Sequence, residues 1–313
     1  MRFPVFDGHA DTAMENFFKY GQCLTQDVGH INFANIEKLG KYAQFFAFCS
    51  VCFRKPDPVE LFEKAFAKFM DELQQYGEKF ALCGNVQQLK SAWEQKKTAA
   101  FLAIEGAEAI GCDPGRLEDV YARGVRMITL TWNFENALGG TCKTGGGLTE
   151  QGREFVRRAQ ELGMIVDISH SSDAVFFDVC EIATKPIIAS HSNCRAVCDH
   201  PRNLTDDQLR CVRQLGGTVG INLYPPFLRG ETASFEDVRR HMEHMLEIAG
   251  EDIVALGGDL DGIDSAPEGF AGVADYETIT GYLAANGFSD ALLEKICSEN
   301  LVGVMERCQL KPV

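Results

Sequence analysis

The chain has 313 residues, 45% of them hydrophobic and 24% charged, with a formal net charge of −15. This is the balance of a globular protein with ample apolar material for a core, enough for one large α/β barrel or two ordinary domains. Such an acidic surface repels phosphate backbones and anionic lipid, so nucleic acid and membranes are set aside as partners. The N-terminal stretch shows no secretory apolar region, no run approaches the roughly 18 apolar residues of a membrane span, and no lipid-anchor signal closes the chain. The expected location is the cytoplasm.

In chain order, a first β-like run over 3–7 leads into Asp7-Gly8-His9-Ala10-Asp11. A second, over 43–51, carries Cys49-Ser50-Val51-Cys52, the spacing of redox and zinc-knuckle pairs. It continues the apolar run Phe45-Phe46-Ala47-Phe48 and no second such pair follows. Buried, reduced thiols are therefore expected there, and no disulfide framework among the 12 cysteines. Leu61, Phe62, Phe66, Phe69, Met70 and Leu73 recur at helical spacing over 60–76. The run 99–104 ends at Glu105, and 125–131 ends in Leu130-Thr131-Trp132. A helix over 149–162 is closed by Gly163, and the run 164–169 then ends at His170. A helix over 173–183 precedes the run 186–190, which ends at His191. Helices over 205–215, stopped by Gly216-Gly217, and 235–249, stopped by Gly250, have Thr205 and Ser234 as N-caps and flank the run 217–223. The run 252–257 ends in Gly257-Gly258-Asp259-Leu260-Asp261-Gly262, and 290–308 reads as a terminal helix.

Eight β-like runs alternating with helices, without a Pro/Ser-rich linker, predict a single (β/α)8 TIM-type barrel spanning 1–313. A doubly wound open sheet would gather its site at one switch point, whereas polar residues here end most of the runs.

Strand C-termini of such a barrel converge, so those polar ends are candidate metal ligands. His9 and Asp11, two apart, point the same way from an extended strand end. Glu105 has two oxygens that can bridge two cations, with Glu108 as a nearby competitor. His170 and His191, 21 residues apart, end consecutive strands, and Asp259 completes the set at the last. His30, His200, His241 and His244 end no apolar strand; His241 and His244, at i and i+3 on one helix, read as a solvated face. Cys194 and Cys198 follow His191 closely, but nothing in their spacing requires them as ligands. The H-E-x-x-H arrangement of zincins is absent. The oxygen and imidazole donors suit two Zn²⁺ ions, and Mn²⁺, Co²⁺ or Fe²⁺ equally.

Taken in order, Asp-Gly-His-Ala-Asp, Ile-Glu-Gly, Asp-Ile-Ser-His, Ala-Ser-His-Ser, Arg202-Asn203 and Gly-Gly-Asp-Leu-Asp-Gly resemble the membrane (renal) dipeptidase family of zinc dipeptidases. The resemblance runs from about residue 5 to the C-terminal helix. It implies a (β/α)8 barrel, a binuclear zinc site, a homodimer, and hydrolysis of dipeptides, including those with a C-terminal D-residue. It implies further that His9 and Asp11 hold one zinc, that Glu105 bridges, and that His170 and His191 hold the second. Asp259 would orient the bridging water, shuttle its proton and meet the substrate ammonium; Arg202 and Tyr224 would take the substrate carboxylate. Animal members carry a histidine in a Leu-Thr-His motif that contacts the scissile carbonyl oxygen, where this chain has Trp132. An indole N–H donates a hydrogen bond but carries no positive charge and shuttles no proton, so neither that role nor the animal enzymes' substrate preference transfers intact. The expectation is a metallodipeptidase. The alternatives are an amidohydrolase-type enzyme acting on a cyclic amide or N-acyl substrate, and a catalytically silent metal-binding protein. No lysine ends the fourth strand, which disfavours a carbamylated-lysine centre.

Overall fold

A computed structural model describes residues 2–14, 24, 28–52 and 57–313. Among them one parallel sheet contains β1 (Val5–Ala10), β2 (Tyr42–Phe48), β3 (Phe80–Leu82), β4 (Thr98–Glu105), β5 (Val125–Thr129), β6 (Ile165–Asp167), β7 (Ile187–Ile188), β8 (Val219–Ile221) and β9 (Val254–Leu256). The strand order is β7-β6-β5-β4-β2-β1-β9-β8, and a parallel bridge from Ala189 to Val219 joins the two ends. The fold is a (β/α)8 barrel, and each of the eight expected runs contributes one of its strands. The short β3 pairs with β4 outside the circuit; three residues leave too little period for sequence reading.

The eight barrel strands are continuously buried, as expected when helices cover the outside and side chains fill the inside. Ala43, Phe45 and Ala47 on β2, with Ala99, Phe101 and Ala103 on β4, join Phe6, Met127, Ile165 and Ile188 in one cluster, the barrel interior. The rings of Phe6, Phe45 and Phe101 meet at centroid distances of 5.5, 5.1 and 5.2 Å. The alternate residues Phe46 and Phe48 pack outward on Phe62, Phe66 and Phe69 of the helix Pro58–Gln75. Beyond the phenylalanines the inward rows turn polar.

The expected helices form, with Gly163 in the left-handed region (φ 92°) and Thr205 in a capping box with Gln208. Val86–Glu94, Leu117–Ala122 and Tyr276–Ala285 add to them. The terminal helix is divided by a π turn at Lys295–Glu299, where Asn300 Nδ2 donates to the carbonyls of Glu251 and Val254. Its last part, Asn300–Cys308, lies across the N-terminal ends of the strands. Arg307 donates to Gly216 O and Lys185 to Cys308 O. Buried Arg126 donates to the carbonyls of Gly84, Tyr121, Val125, Lys311 and Pro312. The bottom of the barrel is thereby closed. Among the described residues no helix is long and apolar enough to cross a membrane.

The cysteines depart from expectation. Cys49 is joined to Cys52, and Cys180 to Cys211. The apolar strand ends at Phe48 and the chain enters a 3-10 turn, Ser50–Cys52, which brings the first pair's sulfurs to one side. The second pair links the neighbouring helices Asp173–Ile182 and Asp206–Gln214. Cys83, Cys112, Cys194, Cys297 and Cys308 are buried free thiols, whereas the pair expected to be reduced, Cys49 and Cys52, is bonded.

Candidate metal centre

At the strand C-termini, His9, Asp11, Glu105, His170, His191 and Asp259 come together. In β1 the register slips by one residue between Asp7 and Ala10, a bulge that re-aims His9 and Asp11. His9 Nε2 lies 3.6 Å from Asp11 Oδ2, 3.7 Å from Glu105 Oε2 and 3.9 Å from Asp259 Oδ1. On the other side, Glu105 Oε1 lies 3.0 Å from His170 Nε2 and 3.4 Å from His191 Nε2. The two oxygens of one buried carboxylate are thus addressed from opposite sides. Asp259 Oδ2 accepts from Asn222 Nδ2 at 3.0 Å, and its backbone is left-handed (φ 59°), as is that of His170 (φ 68°).

Two buried carboxylates that sequence reading did not single out hold this layer in place. Asp7 accepts from the backbone N–H groups of His9 and Gly258 and from Gln44 and Tyr276. Asp167 accepts from Ser169 N, Ser190 N, Ser190 Oγ and Thr129 Oγ1. Burial opposes its ionisation, but the nearby His191 and these donors outweigh it and lower its pKa. Asp167 therefore only accepts, so the Ser190 hydroxyl donates to it and in turn accepts from His191 Nδ1–H at 2.7 Å. That assigns the lone pair to His191 Nε2. His170 Nδ1 likewise meets Asn133 Oδ1 at 3.3 Å, which leaves its Nε2 as the acceptor. The signal for both aspartates was a carboxylate lodged within an apolar strand run.

These assignments test the fit of a metal. The two Nε2 lone pairs stand 3.0 Å apart and both face Glu105 Oε1. Three acceptors converge with no donor between them, while His9 Nε2 and Asp11 Oδ1 are buried without a hydrogen-bond partner. A cation answers both, and His9–Asp11–Glu105, Glu105–His170–His191 and His9–His191–Asp259 are each close enough to hold one. Burial pushes His170 down to about 3, with the charge of Arg202 adding to it. Burial also favours neutral His9, but Glu105 and Asp11 override it and hold this imidazole well above its usual range. Burial and the Glu105 charge push Asp11 up to about 8. For Glu105 burial opposes ionisation, but the charge of His9 outweighs it and keeps the carboxylate ionised.

The centre opens into a cleft of about 610 Å³ lined also by Trp132, Lys143, His200, Arg202, Tyr224 and Phe227. Arg202 is 5% exposed, its guanidinium is 5.4 Å from the Phe227 ring centroid, and its Nε is buried without a partner. Tyr224 reaches the cleft, where burial and the nearby Asp264 raise its pKa. Trp132 sits beside Phe134 and His170, at centroid distances of 5.7 and 6.3 Å.

The other histidines stay outside the cluster, one of them for an unexpected reason. His241 is fully buried: it shares the core stripe of Val238, Met242 and Met245, so the solvated-face reading is wrong for it. Its ring accepts from Cys194 N–H and donates to Leu228 O. His244 pairs with Asp206, and His30 braces Asp261. Neither Cys194 nor Cys198 belongs to a metal-capable group among the described residues.

Fold and donor set together define a barrel hydrolase of the metal-dependent class. Residues 1–311 match the model of the membrane dipeptidase family, peptidase family M19, and the chain belongs to that family. It is a metallodipeptidase by class. A Klebsiella pneumoniae protein from the pqqA 5′ region is 34% identical over 80% of this chain and 97% of its own length. A metallopeptidase from Rhodobacter sphaeroides, liganded with a phosphinate mimic of the dipeptide L-Ala-D-Ala, superposes with a TM-score of 0.89 at 28% identity, covering 98% of this chain and 99% of its own. Dipeptidase AC, a metallopeptidase of family M19, gives 0.90 at 29% identity, with the same coverage.

Proposed function

We propose that this protein hydrolyses dipeptides, including those with a C-terminal D-residue, at a binuclear centre of Zn²⁺-type ions. The observation that carries this reading is Glu105, whose Oε2 faces His9 while Oε1 faces His170 and His191. His9 and Asp11 would hold one ion, Glu105 would bridge, and His170 and His191 would hold the second; Mn²⁺, Co²⁺ or Fe²⁺ suits the same donors. When bound, such a pair supplies Lewis acidity and a water activated for attack. Asp259 presents Oδ1 toward the centre while Asn222 fixes Oδ2, a placement for carrying a proton from water to the leaving amine. Asp259 also offers a charge for the substrate ammonium. Arg202, with a buried donor unpaired at the cleft wall, takes the substrate carboxylate. Tyr224 lines the same cleft and assists. Trp132 forms an apolar wall with one N–H donor and does no proton transfer. The ligand of the Rhodobacter sphaeroides relative supports the stereochemical part of this reading.

The test combines metal analysis with a dipeptide panel in both C-terminal configurations. About two metal equivalents and cleavage of free but not N-acetylated dipeptides are expected. Tight metal binding without hydrolysis of any dipeptide would refute the reading. Asp259→Asn should retain the metal and lose turnover; an active variant removes the proton-transfer role.

A further inference from the structure

The inward row of β2 runs Ala43, Phe45, Ala47, and that of β4 runs Ala99, Phe101, Ala103. These strands pair Ala47 with Ala103 and Phe48 with Ile104. One step further, at the top of both rows, Cys49 stands beside Glu105. The 3-10 turn then returns Cys52 to the same place, and both cysteines line the cleft. A sulfur from each and a Glu105 oxygen lie within 4.8 Å of one another. The turn is seated against β4: a Cβ at Gly106 would lie 2.9 Å from Val51 Cγ1. Cys49 is buried and Cys52 half-buried, so reagents reach the pair through the cleft.

We propose that reduction of the Cys49–Cys52 bond creates a further metal site, made of both thiolates and Glu105, selective for thiophilic divalent cations. A phosphine reductant gives two electrons to the S–S bond and becomes the phosphine oxide. Water supplies the oxide's oxygen and the two protons taken up by the sulfurs. The cation then displaces those protons to solvent as both thiolates bind. The Cα atoms are 5.7 Å apart, a span two thiolates bridge at a metal–sulfur distance of about 2.3 Å. Soft sulfur donors prefer Zn²⁺, Cd²⁺ and Co²⁺ over Mg²⁺ or Ca²⁺, which the oxygen-rich neighbour does not discriminate against as strongly. This site shares Glu105 with the centre above. A cation on the thiols draws one carboxylate oxygen away, so excess zinc inhibits the reduced enzyme and spares the oxidised one. That last consequence rests on the bridging role given to Glu105; the site itself does not.

The test is a Co²⁺ titration of the full chain, oxidised and phosphine-reduced, followed by absorbance and by bound metal after dialysis. Reduced protein should take one more equivalent than oxidised protein and develop a thiolate-to-cobalt charge-transfer band. The Cys49→Ser/Cys52→Ser double variant, reduced, should show neither, and the Cys52→Ala variant serves if the double variant fails to fold. The proposal is overturned if reduced protein, with both thiols shown free by alkylation and mass spectrometry, takes no further cobalt. It is equally overturned if the band survives in the variants, since other thiols would then be responsible. Dipeptide hydrolysis by the oxidised, cobalt-loaded enzyme reports separately on the dipeptidase reading, so either can fail alone.

Discussion

Asp167 shows how much of the centre depends on a residue that touches no substrate. It fixes Ser190, which fixes the His191 tautomer. Replacing it with Asn leaves donors from Thr129 and two backbone amides poorly met, a loss of about 2–3 kcal/mol. Metal affinity should fall by roughly 10–100-fold as the His191 ring loses its orientation. The folded-state pKa is lowered, so the charge contributes stability above the unfolded carboxylate value of about 3.9 and loses it as pH falls toward the lower folded value. Denaturant titrations should therefore show a wild-type advantage that is constant at neutral pH and shrinks below about pH 4. Gly262 is a second such position: a Cβ there would lie 2.0 Å from Asp11 Oδ2. Gly262→Ala should displace Asp11 and release one metal equivalent to a chelator; unchanged metal content would refute this use of the glycine.

Among the elements, the strand ends decide the site and the last helix decides the floor. The bulge in β1 sets where His9 and Asp11 point, a feature no pattern of apolar residues announces. Gly257 and Gly220 let β9 and β8 approach β7, since a Cβ on either would lie 1.8 or 2.0 Å from the Ser190 carbonyl. The tail is docked through Arg126, whose guanidinium meets five carbonyls in a buried position. Charged hydrogen bonds of this kind carry about 1.5–3 kcal/mol each. Arg126→Met should thus cost at least about 3 kcal/mol, read as a lower denaturation midpoint, while metal stoichiometry is kept. Loss of metal with stability intact would place Arg126 in the centre instead.

For the whole molecule, the barrel gathers residues from opposite ends of the chain around a cluster dominated by acceptors. A ligand that binds only the folded state stabilises it by RT ln(1 + [L]/Kd), about 4 kcal/mol at a thousandfold excess over Kd. Chelation should therefore lower the melting temperature, and Zn²⁺ should restore it; an indifferent melting temperature would contradict a metal-filled centre. The acidic net charge of −15 spreads over the surface, and the cleft sets it against a local cationic group, Arg202 with Lys143. A zwitterionic substrate finds acid and base within one opening.

The eight-strand alternation was legible because parallel strands buried on both faces read as apolar runs, and the polar residues that end most of the runs were legible as candidate ligands because polarity there has no core to explain it. His9, Asp11, Glu105, His170, His191 and Asp259 were singled out that way, and the fold brings them together. Asp7, Asp167 and Asn222 were not, since a carboxylate or amide inside a run gains its meaning only from donors on other strands. His241 was misplaced because an i, i+3 histidine pair does not say which one faces the core; two backbone partners, contributed by distant segments, decided it. Cys49 and Cys52 carried a spacing but no redox state, which came from the turn that brings their sulfurs together. Sequence alone thus determined the barrel and the kinds of atoms at its mouth. Tertiary structure decided their protonation, tautomers and pairing, because those depend on distances between atoms that the chain separates by hundreds of residues.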